Sequence, residues 1–158
     1  MRSPLYIKEY GPWDRFMAVP RKAKKILPKV VEQEVNKQAQ SLADQIRNTI
    51  TSGGAGGPSL KPATKDKKGH GIKLLDSHEL ANSVEAQSIS VGGEGLVGIP
   101  KGKGHKGGLP IDKLAAIHEF GTARIEARPF IGPTVKKFVP KLQKKVVDAW
   151  ENGIKKVF

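Results

Sequence analysis

Two stretches of the chain repeat apolar residues at three- and four-residue spacings, which place them on one face of a helix. The first stretch runs from Arg21 to Thr51 and ends at Ser52-Gly53-Gly54, where glycine can take a left-handed C-terminal conformation. Its apolar positions are Ile26, Leu27, Val30, Val31, Val35, Leu42, Ala43, Ile46 and Ile50. Because proline lacks an amide hydrogen and clashes with the preceding turn, we expect Pro28 in the first turn or at a kink.

The second stretch, Thr134 to Phe158, predicts a closing helix whose other faces are rich in lysine. Its apolar stripe comprises Val135, Phe138, Val139, Leu142, Val146, Ala149 and Trp150. Pro140 interrupts this stripe and is expected to bend or split the helix.

Between the two helices, Leu80 to Pro100 reads as a β-hairpin that turns at Gly92-Gly93-Glu94-Gly95. A short helix is predicted to begin at Pro110-Ile111-Asp112. This order predicts one α+β domain over residues 21–158, in which a long N-terminal helix and a C-terminal helix pack on a small antiparallel sheet. Residues 1–20 are interpreted as an N-terminal arm.

Two glycine- and lysine-rich segments, Gly53–Gly71 and Lys101–Gly108, interrupt these patterns. They offer few apolar side chains to bury, so we expect flexible loops that become ordered only when neighbouring subunits contact them. The same segments contribute to a formal net charge of +13, from 28 Lys and Arg against 15 Asp and Glu. Such a charge indicates a nucleic-acid or other polyanionic partner, or an assembly that offsets the self-repulsion.

Several classes of protein fit the sequence poorly. The chain has no cysteine, which excludes disulfides and thiolate chemistry and is typical of a protein made in a reducing cytoplasm. The N-terminal residues do not form a signal peptide, and no segment has the apolar length of a membrane-spanning helix, so no membrane partner is expected. Neither glycine-rich loop contains an aromatic residue, so base stacking is not expected.

His118-Glu119 begins a sequence that could be compared with the zinc-binding pattern His-Glu-x-x-His, but the second histidine is missing. The other histidines, His70, His78 and His105, lie in or beside glycine- and lysine-rich segments. No phosphate-binding loop, nucleophile elbow or catalytic triad is evident. We therefore expect no metal, no cofactor and no enzymatic activity.

The segment IHEFGTARIEARPFIGP, residues 117–133, instead reads as a staple between two helices. Gly121 is expected to end the first helix and to let the chain reverse. Phe120 and Phe130 are expected to be buried. Pro129 fixes its own φ and forces Arg128 into an extended conformation.

The acidic residues of this segment, Glu119 and Glu126, lie beside Arg124 and Arg128 in the sequence. We expect ion pairs between these groups to fix the segment, with the Arg128 side chain partnered.

The segment resembles the tail-completion and neck proteins of tailed bacteriophages, the minor-tail-protein-Z-like and virion-morphogenesis families. Those proteins carry a pattern like hEFGt…iPaRPFl ahead of a C-terminal helix. Here His118–Thr122 and Ile125–Ile131 match it, with Glu126 where the family commonly has proline. Upstream, Leu75–Val84 follows the order of a second family pattern, with Ser77 and His78 in place of threonine and glycine. The resemblance extends from about Lys22 onward.

The resemblance implies a non-enzymatic subunit of the virion, made in the host cytoplasm, that forms a ring with other copies and joins further neck and tail proteins. Such rings are generally hexameric and close the head-proximal end of the tail. The lumen of the ring passes DNA, and Lys101, Lys103 and Lys106 would face it in transient, non-specific contacts. The alternative is a stand-alone basic protein that binds nucleic acid without sequence specificity.

Overall fold

The computed structural model describes residues 13–54, 56–69, 71–72, 74, 78–89, 94–104 and 108–157. Its elements are helix α1 (Trp13–Thr51), helix α2 (Pro62–Lys68), helix α3 (Glu79–Asn82), strand β1 (Glu85–Ile89), strand β2 (Glu94–Gly98), helix α4 (Ile111–Phe120) and helix α5 (Gly132–Lys155). The predicted α+β class is confirmed: two long helices accompany a small antiparallel sheet.

Helix α1 is longer than the sequence pattern predicted. It begins at Trp13 instead of Arg21, so residues 13–20 are helical. Pro20 and Pro28 both lie inside it, so Pro28 does not occupy the first turn, and the alternative of a kink at Pro28 stays a prediction. Both prolines are exposed, so water can hydrate the carbonyl groups that lose their helical partners.

Helices α1 and α5 pack antiparallel along most of the length of α5. Three contacts mark their register: Thr49 with Thr134 (2.9 Å between the Oγ1 atoms), Gln38 with Lys145 (3.1 Å from Oε1 to Nζ), and Leu27 and Val30 with Gly153. A Cβ atom at Gly153 would lie only 3.0 Å from Leu27 Cδ2, so glycine allows the two helices to approach closely there. The last turns of α5 therefore lie level with residues near Leu27 of α1.

The described sheet is a hairpin of two antiparallel strands, β1 and β2, with Glu85 opposite Gly98 and Ile89 opposite Glu94. The prediction that the hairpin begins at Leu80 was wrong, because residues 79–82 form α3. That single turn buries Leu80 and Ala81 together, and the Ser83 hydroxyl donates to Leu80 O at 2.7 Å. Of the predicted turn, Gly92 and Gly93 lie outside the described residues, whereas Glu94 and Gly95 already belong to β2.

The core lies where α1, α3, β1, α4 and the start of α5 meet. Phe130 is fully buried in it, as predicted. The surrounding buried residues are Ala43, Ile46, Ile50, Leu74, Leu80, Ala81, Val84, Ile111 and Ala115. Arg47 of α1 donates from Nη2 to Val84 O at 2.6 Å, which fixes the start of β1 against this helix.

Helix α5 buries less of its apolar stripe than expected. Phe138 is buried and Leu142 and Val146 are half-buried, but Val139 and Trp150, which belong to the same apolar stripe, are exposed to solvent. The helix starts at Gly132-Pro133 as predicted and continues through the exposed Pro140, so this proline does not split it.

The two predicted loops are more structured than their composition suggested. Residues 53–71 include α2, and Leu60 is buried, so the expectation of a loop with almost nothing to bury was wrong. In the second loop, Lys103 O accepts the Ile111 amide at 3.0 Å and Asp112 Oδ1 accepts the Gly102 amide at 3.2 Å. Residues 105–107 lie outside the described residues. Flexibility of the two segments stays a prediction.

Phe120 and Phe130, the two phenylalanines of residues 117–133, differ in how far they are buried. Because Phe130 is fully buried and Phe120 is largely exposed, Phe130→Ala should lower the free energy of unfolding by about 3–5 kcal/mol. Phe120→Ala should change it by less than about 0.5 kcal/mol, as is usual for surface positions. Urea unfolding followed by circular dichroism measures both. Equal losses for the two variants would contradict the assigned core.

Candidate assembly site

Helix α4 ends in a reversal that requires glycine. Gly121 has φ 75° and ψ −177°, and its amide donates to Ile117 O at 2.8 Å. A Cβ atom here would lie 2.9 Å from both Ala127 N and Ile125 O, so any side chain would collide with the returning backbone. The predicted reversal at Gly121 is confirmed.

The chain returns through a tight turn closed by Thr122. The Thr122 amide donates to Ile125 O at 2.8 Å, and the Thr122 hydroxyl accepts the amides of Arg124 and Ile125 at 3.3 and 3.1 Å. The Arg128 amide then donates to His118 O at 2.7 Å, and this hydrogen bond holds the returning segment against the last turn of α4. The segment from His118 to Gly132 is hereafter the α4–α5 clamp.

The Glu119 carboxylate fastens the clamp to the start of α5. Its Oε2 atom accepts the amides of Phe130 and Ile131 at 2.8 and 2.9 Å, and its Oε1 atom accepts the amide of Gly132 at 2.7 Å. The first amides of a helix have no partner within the helix, and a carboxylate there also interacts favourably with the helix dipole. Glu119 therefore caps α5 from a different helix.

This role replaces the predicted ion pairing of Glu119, and sequence reasoning missed it. A signal for it was present: the N-cap residue of α5, Ile131, has no side-chain hydrogen-bond acceptor, so its first turn needs a cap from elsewhere. Glu126, the other acidic residue of the segment, is exposed.

His118 and Arg128 bring two unsatisfied nitrogens into the clamp. Within the described part of the chain, His118 Nδ1 and Arg128 Nε are buried without a hydrogen-bond partner, so the prediction of a partnered Arg128 side chain was wrong for this atom. Burial lowers the pKa of His118 from its ordinary value of 6.5, and the charges of Arg128 and Lys68 lower the same pKa further. The imidazole is therefore neutral at pH 7.

The geometry around His118 differs from that of a metal centre. The Glu119 carboxylate already accepts backbone hydrogen bonds at the start of α5. His78 is exposed at the start of α3. His70 and His105 lie outside the described residues. Across the described ranges, no three His, Asp or Glu side chains are grouped so that they could hold a metal ion.

Phe120 is 81% exposed, which contradicts its predicted burial. The reason is helical geometry: Glu119 points at α5, and the next residue along the helix is rotated by about 100° away from it. Because Gly121 reverses the chain immediately afterwards, no following turn covers the ring. The exposed side chain of Ile125 lies in the same clamp. A rigid junction thus presents an aromatic ring to solvent.

Of the three lysines predicted to face DNA, Lys101 and Lys103 lie in the described structure. Lys101 is exposed, whereas Lys103 Nζ lies 3.3 Å from Glu85 Oε1 in an ion pair, and Lys106 lies outside the described residues. Asp112 also contacts the same loop through the Gly102 amide. Two carboxylates therefore partly offset the positive charge at this loop.

Comparison of the chain with protein-family models, curated proteins and solved structures finds no match. None of the helices in the described ranges is both long and apolar enough to cross a membrane.

The capping role of Glu119 is testable by removing its carboxylate. Glu119→Ala leaves the amides of Phe130, Ile131 and Gly132, at and just before the start of α5, without their acceptor and should lower the free energy of unfolding by about 2 kcal/mol, in the range measured for caps and charged hydrogen bonds. Glu126→Ala removes the same charge from an exposed position and is the matched control. If urea unfolding gives equal values for both variants, Glu119 is not the cap.

The lowered pKa of His118 makes folding stability depend on pH. Because the unfolded chain binds a proton at this residue more readily than the folded chain, stability should fall as the pH drops from about 7 through 6.5 and below. His118→Gln removes the titrating group and should make the unfolding free energy less sensitive to pH in this window. His78→Gln, at an exposed position, is the control. An unchanged pH dependence in His118→Gln would contradict the assignment.

Proposed function

We propose that this protein is a non-enzymatic structural subunit of a bacteriophage neck or tail, acting in tail completion or head–tail joining. In this proposal, copies of the chain form a ring, generally of six in such families, around the DNA channel of the virion. Other neck and tail proteins are its partners, and contacts with DNA are transient and non-specific. The observation that carries the proposal is the α4–α5 clamp, which holds an exposed Phe120 on a rigid support.

The polar groups of the clamp support a structural role. Glu119 is occupied by three backbone amides, Thr122 closes a turn, and the His118 carbonyl accepts the Arg128 amide. Each of these groups stabilises the junction between two helices. A general acid or base needs to reach a substrate, and a carboxylate held in this way does not.

Apolar surface outside the core supports assembly. Phe120, Val139, Val147 and Trp150 are all exposed, and the last three recur along α5 at spacings of eight and three residues. Such spacings place them along one side of the helix. Clustered apolar surface of this kind marks interaction sites, because its burial against a partner is favourable. Another copy of the chain can supply that partner.

The separation of these patches favours a ring over a two-fold dimer. Phe120 lies at the end of α4, whereas Val139, Val147 and Trp150 lie on α5. When two different patches of one subunit meet, the contact is heterologous, and it closes into a ring if the rotation between subunits allows. The two-stranded described sheet also leaves strand edges that a neighbour could pair with.

The proposal predicts that Phe120 matters for assembly and not for folding. Mass photometry of purified protein over a range of concentrations should show a ring-sized species, and Phe120→Ser should reduce the population of that species at least tenfold, which corresponds to about 1.4 kcal/mol in the free energy of forming the ring. The melting temperature should stay unchanged, since the ring is exposed. Leu109→Ser, at another exposed apolar position outside the clamp, is the matched control.

A chain that stays monomeric at every concentration, and also when co-expressed with the proteins encoded beside it, would contradict the proposal. The alternative, a stand-alone nucleic-acid-binding protein, predicts that monomer together with tight DNA binding at physiological salt. The +13 net charge keeps this alternative open.

A further inference from the structure

The net positive charge of the long helices is greatest at one end of the α1–α5 pair, although α5 carries further exposed lysines between residues 136 and 145. Residues Arg21–Lys29 of α1 contain five basic residues and no acidic one, whereas residues 30–51 contain two basic and three acidic residues. The five are Arg21, Lys22, Lys24, Lys25 and Lys29, and all are exposed. The same helix therefore changes from strongly basic to slightly acidic along its length.

The end of α5 adds to this basic block. By the antiparallel register that joins Gln38 to Lys145 and Val30 to Gly153, Lys155 and Lys156 stand level with Pro28 and Leu27 of α1. Both lysines are exposed. Together with the five residues of α1 they form seven cations, hereafter the basic tip: Arg21, Lys22, Lys24, Lys25, Lys29, Lys155 and Lys156.

The basic tip is not neutralised locally. Within the described ranges, none of its seven side chains lies in an ion pair, in contrast to Lys103 with Glu85. Glu32 and Glu151 lie only three residues from Lys29 and four residues from Lys155, but neither carboxylate is within ion-pair distance of the tip residues in the described structure. Seven cations held close together repel one another, so a dense anionic partner would stabilise this end of the molecule.

We propose that the basic tip binds the phosphate backbone of duplex DNA, and that it, more than the loop Lys101–Gly108, is the main DNA contact of this protein. The inference extends the proposed function by naming the surface that meets DNA. The seven cations lie alongside the segment of α1 from Arg21 to Lys29. These two residues are eight positions apart, which is about 12 Å along the helix axis, so the tip carries about one positive charge per 1.7 Å of axis. Duplex DNA carries one negative charge per about 1.7 Å of its axis.

Other anionic partners fit the basic tip less well. A helix that lies on a membrane surface needs an open apolar face, but Leu27 and Val30 pack against Gly153. Acidic protein surfaces seldom carry negative charges spaced as closely as the phosphates of duplex DNA. The tip also lacks an exposed aromatic side chain among its described residues, so it suits phosphate contacts and not base stacking.

The test measures binding of the purified full chain to short duplex DNA of random sequence by fluorescence anisotropy at several salt concentrations. The tip variant combines Arg21→Gln, Lys24→Gln, Lys25→Gln and Lys29→Gln. The charge-matched control combines Lys61→Gln, Lys65→Gln, Lys67→Gln and Lys113→Gln, all at exposed positions in or beside α2 and α4. A loop variant combines Lys101→Gln, Lys103→Gln and Lys106→Gln. Glutamine has nearly the helix propensity of lysine, and circular dichroism checks the fold.

The tip variant should bind at least about tenfold more weakly at 100 mM salt, and the slope of log K against log salt should flatten by about 0.9 for each phosphate that the variant no longer neutralises. The control and loop variants should change affinity less than about threefold. A variant with Lys24→Arg, Lys25→Arg and Lys29→Arg keeps the charge and should bind as well as the unchanged protein.

Four results would overturn the inference: no binding by the unchanged protein at about 50 mM salt; equal losses of affinity in the tip variant and the control; a larger loss in the loop variant; or preference for polyglutamate of equal charge over DNA. Because binding by the isolated chain does not require a ring, failure here is distinguishable from failure of the assembly proposal. If the ring forms but DNA binding does not depend on the tip residues, only the inference that the basic tip binds DNA is rejected. Tip-dependent binding by a persistent monomer rejects only the ring.

Discussion

The three hydrogen bonds from the α5 amides to the Glu119 carboxylate hold the rest of the structure in register. They fix the start of α5 against the end of α4, and they place Phe130 in the core between them. Since α5 then runs back along α1, an error at this one cap would propagate along the whole helical pair. The Thr49–Thr134 contact and the Arg47–Val84 hydrogen bond tie the same region to α1 and β1.

The clamp and the helical pair divide the molecule into two ends with different physical character. At one end, uncharged packing around Phe130 supports an exposed aromatic ring, Phe120. At the other, the basic tip carries exposed positive charge that forms no ion pair within the described part of the chain. In the proposed ring the first end joins copies of the chain, and the second meets the polyanion that the ring surrounds. Both ends are positioned by α1 and α5, the two longest helices of the described structure.

Local rules were enough to predict the two long helices, α4, the hairpin and part of the clamp, but not α2 or α3. The reversal at Gly121 follows from steric freedom at one residue, and the start of α5 follows from the preference of proline for a first turn. The burial of Phe130 follows from its place between two helices. Periodicity also located both long helices, although the rule against internal proline was applied too strictly at Pro28, whose exposed position makes it tolerable.

What could not be predicted depends on contacts between distant residues. The apolar pattern alone does not say whether another element covers Phe120, and none of the described ones does. The acceptor for the α5 amides comes from thirteen residues away in the case of Gly132, so no local capping pattern reveals it. The five basic residues of Arg21–Lys29 are visible in the sequence, but only the antiparallel register shows that Lys155 and Lys156 lie level with them.

The central claim is that the clamp presents Phe120 so that copies of this chain assemble into a ring around DNA. Electron microscopy of the purified assembly, with class averages viewed along its axis, tests that claim most directly. The account predicts closed rings with a central channel wide enough for duplex DNA, and Phe120 in the contact between neighbouring subunits. Compact two-fold dimers without a channel, or rings in which Phe120 stays exposed to solvent, would contradict it.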